Sequence, residues 1–262
     1  MKLSNLSPEK AREMIRKGEW DRPTAGLSNG YIQANLVVLP KEMAYDFLVF
    51  CQRNPKPCPV LDVTDVNAYH PPSVAPQADL RTDLPKYLVY RNGKKTEERT
   101  DLTDVWTEDM VGFLLGCSFT FEQALLENDI PIRHIEEGLN VPMFKTNLSC
   151  QPAGKFHGPM VVSMRPMKSN DVIRSIQVTS RFPSVHGAPV HIGDPETIGI
   201  NDLQSPDFGD AVPIKEDEVP VFWACGVTPQ AIAMHMKPKL MLTHAPGHMF
   251  ITDQKNEAFG VL

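Results

Sequence analysis

Short apolar runs alternate with helix-like apolar stripes along the first part of the chain, which predicts a mixed α/β protein. Residues 7–9, Ser-Pro-Glu, are typical of a helix start, and residues 30–35 are rich in glycine and amides, as loops are. Residues 36–39 and 60–63 are apolar runs that flank a helical stripe at 41–52. Because two strands joined by a helix commonly lie side by side in one direction, we expect a parallel pair here.

The pattern changes in the middle of the chain. Residues 87–90 and the segment after Asn92-Gly93 predict a hairpin, because Asn-Gly favours a type I′ turn, and a helix is expected from about residue 108. Between residues 131 and 198 we expect a β-β-α-β layer, inserted as a second, small α+β domain. Its predicted strands are 142–147, 160–165 and 188–192, and its predicted helix is 169–181.

One pattern occurs twice, and the rest of the chain is organised around it. Residues 221–230 are an apolar run, a small-residue turn and a helix start at Thr228-Pro229, and residues 113–122 align with them without a gap. We expect two related strand-to-helix corners in one sheet, whose helix N-termini favour a carboxylate; two ordinary turns are the alternative. The matched positions are Cys117 with Cys225, Ser118 with Gly226, Thr120 with Thr228, and Glu122 with Gln230.

Composition excludes several classes of protein. The net charge of −6 with both signs mixed argues against a nucleic-acid partner. The chain has no run of about 20 apolar residues, which argues against a membrane span, and its first residues lack the apolar core of a signal peptide. Five cysteines without a Cys-x-x-Cys pair indicate neither a disulfide framework nor a zinc cluster, and so favour a reducing cytoplasm.

Several long motifs occur along the chain, at residues 116–122, 156–166, 186–195, 206–210, 221–230 and 245–249. With them, the chain resembles the bacterial putative hydro-lyase family (YcsI-like), which is similar to the catalytic domain of D-glutamate cyclase, over nearly its whole length. The resemblance implies a three-layer α/β/α main domain with a smaller two-layer α+β domain. This agrees with the insertion expected at 131–198, which leaves residues 1–130 and 199–262 for the main domain.

The implied activity is elimination of water from a small amino or hydroxy dicarboxylic acid, with cyclisation of D-glutamate to 5-oxo-D-proline as the characterised example. Two alternatives stay open: an amino-acid racemase or epimerase that uses Cys117 and Cys225, and a non-catalytic protein that binds a small carboxylate. The sequence requires no cofactor, leaves a divalent cation (Mn²⁺ or Mg²⁺) open, assigns no metal ligands, and leaves a homo-oligomer open. The expected partner is a small-molecule carboxylate.

Cyclisation needs a base for the ammonium, an acid for the departing hydroxyl, and cationic or amide groups for the carboxylates. Each candidate also has an ordinary structural interpretation: a hydrogen-bonded loop histidine, an ion pair, a solvated loop acid or a small buried thiol. We expect the site near residues 117–122, 181–191 and 225–230. The catalytic candidates are Glu122, His186, His191, Asp210, Cys117 and Cys225. The substrate-binding candidates are Ser118, Thr120, Arg165, Arg181, Gly226, Thr228, Gln230 and His248.

Overall fold

A computed structural model describes residues 3–261, which form two antiparallel sheets and six α-helices. The strands are β1 (Tyr31–Pro40), β2 (Val60–Val63), β3 (Tyr87–Arg91), β4 (Lys94–Arg99), β5 (Met110–Gly116), β6 (Met143–Ser149), β7 (Pro159–Lys168), β8 (His191–Ile192), β9 (Glu218–Ala224), β10 (Met241–His244) and β11 (Phe250–Lys255). The helices are α1 (Pro8–Arg16), α2 (Lys41–Arg53), α3 (Phe119–Glu127), α4 (Arg133–Glu136), α5 (Ser169–Thr179) and α6 (Val227–His235).

The larger sheet has the strand order β2-β5-β1-β10-β3-β4, with β11 paired to the first part of β1. Every pairing in it is antiparallel. The predicted parallel pair is therefore wrong: β1 and β2 do run in the same direction around α2, but β5 lies between them and pairs with both. Residues 31–35, predicted as a loop, extend β1, and the helix predicted from residue 108 is replaced by β5.

The smaller sheet has the order β6-β7-β9-β8, again with antiparallel pairs. The first corner follows β5 in the larger sheet and the second follows β9 in the smaller one, so the expectation that both lie in one sheet is wrong. The α/β class is confirmed. The domain boundaries and the three-layer order stay predictions; β9, which follows the predicted insertion in sequence, pairs along seven positions of β7.

Side chains of β1 point alternately to the two faces of the larger sheet, and both faces are covered by other parts of the chain. Val37 and Leu39 join the cluster under α2, whereas Leu36 and Val38 join a cluster covered by irregular chain between β2 and β5. In the smaller sheet, one face packs against α3 and α5, and the other packs against the irregular chain after β8. Met160 of β7 packs against the cluster under α2 as well as against the second of these clusters, so the apolar cores of the two sheets are in contact.

Two predictions from short sequence motifs, a helix cap and a hairpin turn, are confirmed. Ser7 caps α1 by accepting a hydrogen bond from the amide of Lys10, and the hairpin of β3 and β4 turns through Asn92 and Gly93, both with positive φ. Thr228 is not the cap of α6, since the helix already begins at Val227. Within residues 3–261, every helix is too short or too polar to cross a bilayer.

Candidate active site between the two corners

The two corners open on a common cavity of about 770 Å³. Cys117, Ser118 and Glu122 line it from the first corner, and the matched Cys225, Gly226 and Gln230 line it from the second. Strands β1 and β3, the start of β6 and the end of β10 supply further walls, so residues of both sheets face the same space. The volume lies in the range usual for small-molecule sites.

Glu122 is the buried carboxylate of the first corner. It lies in the first turn of α3, and its Oε1 accepts hydrogen bonds from Nε and Nη2 of Arg165. His134 of α4 places its Nε2 3.5 Å from the same oxygen. Burial alone raises the pKa of Glu122, but the charge of Arg165 and the contact with His134 outweigh it and lower that pKa to about 2. The carboxylate is therefore ionised at neutral pH.

Arg165 holds this corner together from behind the cavity wall. Its Nη2 donates to Ser118 Oγ at 3.2 Å, and its Nη1 donates to Ser163 Oγ at 3.0 Å. Its guanidinium also lies 5.0 Å from the ring centre of Phe121 and 5.3 Å from that of Trp223. Arg165 is fully buried and is not part of the cavity lining, so it orients lining groups.

The second corner is also a strand, a small-residue turn and a helix, but its helix start carries no acidic side chain. Gln230 occupies the position of Glu122 and donates from Nε2 to Thr243 Oγ1 at 3.1 Å. The first turn of α6 contains no acidic residue, whereas that of α3 contains Glu122. Because the positive end of a helix dipole attracts anions, the N-terminus of α6 is the better place for a carboxylate of a ligand.

His244, at the end of β10, is oriented by the backbone of Leu36. Its Nδ1 lies 3.2 Å from the Leu36 amide nitrogen and 3.3 Å from the Leu36 carbonyl oxygen. Burial lowers the pKa of His244 to about 4. The imidazole is therefore neutral at pH 7, and it lines the cavity.

Both corner cysteines are protonated thiols at neutral pH. Burial raises the pKa of Cys117 to about 12 and that of Cys225 to about 11. Each is 8 % exposed and lines the cavity, and the Cys225 thiol also contacts the sulfur of Met143. They form part of the wall, at the small-residue turn of each corner.

The matched threonines lie behind the wall and differ in their contacts. Thr228 Oγ1 accepts from the amide of Val161 and donates to its carbonyl oxygen, which ties α6 to β7. Thr120 Oγ1 is buried and has no hydrogen-bond partner within residues 3–261. Neither side chain belongs to the cavity lining.

Two candidate histidines lie away from the cavity. His186 is buried, with a φ of 84°, and its Nδ1 donates to the carbonyl oxygen of Lys56 at 2.9 Å. Burial lowers the pKa of His186 to about 4. His191 lies on the edge strand β8 and donates from Nε2 to the carbonyl oxygen of Asp194 at 2.7 Å. Both rings thus bond to backbone carbonyl oxygens, and neither residue lines the cavity.

Three other candidates are also outside the lining. Asp210 accepts from the amide of Asn140 at 2.9 Å and so fixes a loop beside the cavity. Arg181 is exposed and contacts the carbonyl oxygen of Val261, while His248 donates to the carbonyl oxygen two residues before it. The structure thus brings together the two corners, but not the segment 181–191.

The candidates chosen from the sequence leave out several polar groups that line the cavity, among them Gln33, Asn35, His134 and His244. The signal for the first two was present, since amides two residues apart within an apolar run mark one face of a strand. Reading residues 30–35 as a loop concealed that signal. Within residues 3–261, no group of three or more His, Cys, Asp and Glu side chains is arranged to hold a metal ion.

Comparison with known proteins places the chain in a family. The sequence model of D-glutamate cyclase matches residues 111–253. A putative hydro-lyase of Geobacillus kaustophilus is 69% identical, over 98% of each chain, and the putative hydro-lyase YcsI of Bacillus subtilis is 62% identical, over 98% of this chain and 100% of its own. The chain belongs to the D-glutamate cyclase family, and the resemblance to YcsI-like proteins is confirmed.

Among solved structures, a nitrogen repressor-like protein, MJ0159 from Methanococcus jannaschii, aligns over 96% of this chain and 99% of its own. The sequence identity is 8% and the TM-score is 0.39. A likeness this weak supports no conclusion about fold or function.

Proposed function

We propose that the protein is a hydro-lyase acting on a small amino or hydroxy dicarboxylic acid, and that its reaction is the cyclisation of D-glutamate to 5-oxo-D-proline and water. The observation that carries the proposal is the common cavity, where both helix N-termini meet a buried carboxylate and two imidazoles. Family membership supports it, as do the names of the relatives.

The reaction defines what the cavity must supply. The amine nitrogen bonds to the carbon of the side-chain carboxyl, one carbon–oxygen bond breaks, and two protons from nitrogen leave with that oxygen as water. The site therefore has to accept a proton from the ammonium and deliver protons to the departing oxygen, while holding the second carboxylate still.

In this proposal, His244 acts on the carboxyl group that reacts. The contacts of its Nδ1 with the backbone of Leu36 hold the ring in place at the cavity wall. A neutral imidazole can donate a hydrogen bond to the carboxyl oxygen, and that bond strengthens as negative charge develops there.

His134 is the proposed proton carrier. Its Nε2 lies 3.5 Å from Glu122 Oε1, and the residue lines the cavity. An imidazole can both accept and donate a proton, so His134 can accept a proton from the ammonium and return it to the departing hydroxyl. Arg165 keeps the carboxylate in position, and the N-terminus of α6 receives the carboxylate that does not react.

The racemase alternative has one observation in its favour: Cys117 and Cys225 line the same cavity. A two-thiol racemase needs one thiol ionised as the base. Since burial raises the pKa of both groups to about 11 or above, neither supplies a thiolate at neutral pH. We therefore prefer the lyase.

Turnover of D-glutamate by the purified protein tests the proposal. We expect 5-oxoproline to form, measured by chromatography with and without Mn²⁺, and more slowly from L-glutamate. The His244→Phe variant serves as the control for catalysis by a contaminant. Absence of product under both metal conditions overturns the proposal for this substrate, and interconversion of D- and L-glutamate instead would favour the racemase.

A further inference from the structure

Asn35 has an amide whose orientation is fixed by the backbone of the first corner. It lies on β1, lines the cavity and is 6 % exposed. Its Nδ2 donates to the carbonyl oxygen of Gly116 at 2.7 Å, and the carbonyl oxygen of Leu115 lies at 3.5 Å. Carbonyl oxygens accept only from the NH₂ side of an amide, so Oδ1 has to be the free end.

The same amide touches the second corner. A Cβ atom added at Gly226 would lie 2.3 Å from Asn35 Nδ2 and 3.3 Å from its Oδ1. The first corner has Ser118 at the matched position, where the hydroxyl group is occupied by Arg165. Asn35 thus spans the gap between the two helix N-termini, and only a residue without a side chain leaves room for it at position 226.

The free end of this amide is an acceptor without a partner. No donor within residues 3–261 bonds to Asn35 Oδ1. Oδ1 is not one of the solvent-inaccessible side-chain atoms that lack a partner, so it faces the open cavity, where a donor of a ligand can reach it. The N-terminus of α6 favours a carboxylate of a ligand, whereas this oxygen can accept only from an N–H or O–H group.

We propose that Asn35 Oδ1 receives the α-ammonium group of an amino dicarboxylic acid and is thereby a specificity-determining residue. This inference rests on the proposed function and adds the choice of substrate class. A charged ammonium makes a hydrogen bond about twice as strong as a neutral hydroxyl does, and an unsubstituted dicarboxylate makes none. Asn35 therefore selects amino acids over hydroxy acids, and both over plain dicarboxylates.

Calorimetric binding of three ligands of one carbon skeleton tests this: D-glutamate, D-2-hydroxyglutarate and glutarate. For the unmodified protein we expect D-glutamate to bind about tenfold more tightly than glutarate, which corresponds to about 1.4 kcal/mol, with the hydroxy acid between them. In Asn35→Ala the three affinities should converge, while the affinity for glutarate stays within about twofold of that of the unmodified protein. Retained glutarate binding also shows that the variant is folded.

Two further variants serve as a control for the loss of an amide and as a replacement if Asn35→Ala does not fold. Gln230→Ala removes another amide from the cavity lining and should change the three affinities by similar factors. If Asn35→Ala loses its cooperative thermal transition, Asn35→Ser replaces it, and the three ligand affinities should again converge. The serine hydroxyl can still donate to a nearby carbonyl oxygen, which favours folding of this variant.

The outcomes separate this inference from the proposed function. Equal binding of all three ligands to the unmodified protein overturns the role of Asn35 and leaves the dicarboxylate site intact. A preference for D-glutamate that survives in Asn35→Ala, or that disappears equally in Gln230→Ala, also overturns it. Failure of the unmodified protein to bind any of the three overturns both proposals.

Discussion

The Glu122 carboxylate accepts two hydrogen bonds from the Arg165 guanidinium, and almost none of either side chain reaches solvent. The pair joins α3, which follows the larger sheet, to β7 of the smaller sheet. Removal of one member of a buried pair leaves the other charge without compensation, which costs far more than the loss of an exposed pair.

Glu122→Gln should therefore lower the free energy of unfolding by about 3 kcal/mol, measured by urea denaturation. Glu136→Gln is the matched control, because Glu136 also pairs with an arginine, Arg133, but its carboxylate is half exposed. That control should change stability by less than about 1 kcal/mol. Equal effects of the two substitutions would show that the Glu122–Arg165 pair does not stabilise the native state.

Acid should destabilise the protein below about pH 6.5, because His186 is buried in its neutral form. Its pKa is lowered to about 4, whereas an unfolded histidine titrates near pH 6.5, so the unfolded state takes up the proton first as the pH falls. The stability contributed is complete above about pH 6.5 and is lost between that value and about pH 4. At pH 5 the loss from this group amounts to about 2 kcal/mol.

The variant that tests this is His186→Asn, since asparagine tolerates the positive φ at this position. The difference in unfolding free energy between pH 7 and pH 5 should be smaller in the variant than in the unmodified protein. The low pKa of Glu122, about 2, acts in a separate window: its contribution is lost between about pH 4.5 and pH 2, and His186→Asn should leave that window unchanged. An identical pH profile for both proteins would contradict the prediction.

Replacement of His244 by Phe should reduce kcat for 5-oxoproline formation by about 10²-fold or more, because the proposed hydrogen-bond donor to the reacting carboxyl is removed. His191→Phe should leave kcat close to that of the unmodified protein, since this ring lies outside the cavity on β8. Steady-state kinetics of both variants distinguish two histidines that the sequence alone could not rank. Loss of activity in His191→Phe with full activity in His244→Phe would reverse the assignment.

Substitution of the corner cysteines should leave the lyase reaction largely intact. Cys117→Ser and Cys225→Ser keep the size of the side chain, and the proposed reaction uses no thiolate, so we expect kcat within about fivefold of the unmodified protein. Iodoacetamide should label neither thiol of the native protein at pH 8, given their raised pKa values, and should label both in urea. Rapid labelling at pH 8, together with abolished activity, would support the racemase.

Gly226→Ala should impair the site by displacing the Asn35 amide, because the added methyl group would lie 2.3 Å from Asn35 Nδ2. We expect a loss of D-glutamate affinity of about tenfold or more. A double-mutant cycle with Asn35→Ala identifies the cause. Once Asn35 is alanine, the further change at position 226 should cost little, whereas additive losses would mean that the methyl group acts through some other contact.

Sequence alone located the two corners because each is a local pattern of a strand, a small-residue turn and a helix, and such patterns fix local structure. It could not assign β5 and β9 to different sheets, since strand pairing is decided by distant parts of the chain. The pairing of β5 with both β1 and β2 is the contact that turned the expected parallel pair into an antiparallel sheet.

The cavity residues also divide into those that local sequence patterns reveal and those that only tertiary contacts bring to the site. Glu122, Gln230 and both cysteines were found from the repeated motif, whereas His134 and His244 reach the cavity from α4 and β10 through tertiary contacts that no motif encodes. His186 and His191 were favoured because they flank a glycine-proline turn, but each ring is occupied by a backbone carbonyl nearby.

Within the described residues, the chain passes from the larger sheet to the smaller one after β5 and returns after β9, so α3 and α6 each lie on one of these two passages. The walls of the cavity are thus also part of the connections between the two sheets. A ligand that contacts both helix N-termini would link these connections, and a rotation of one sheet against the other would break its contacts with one of them. Ligand binding should accordingly slow amide hydrogen exchange in α3 and α6 together.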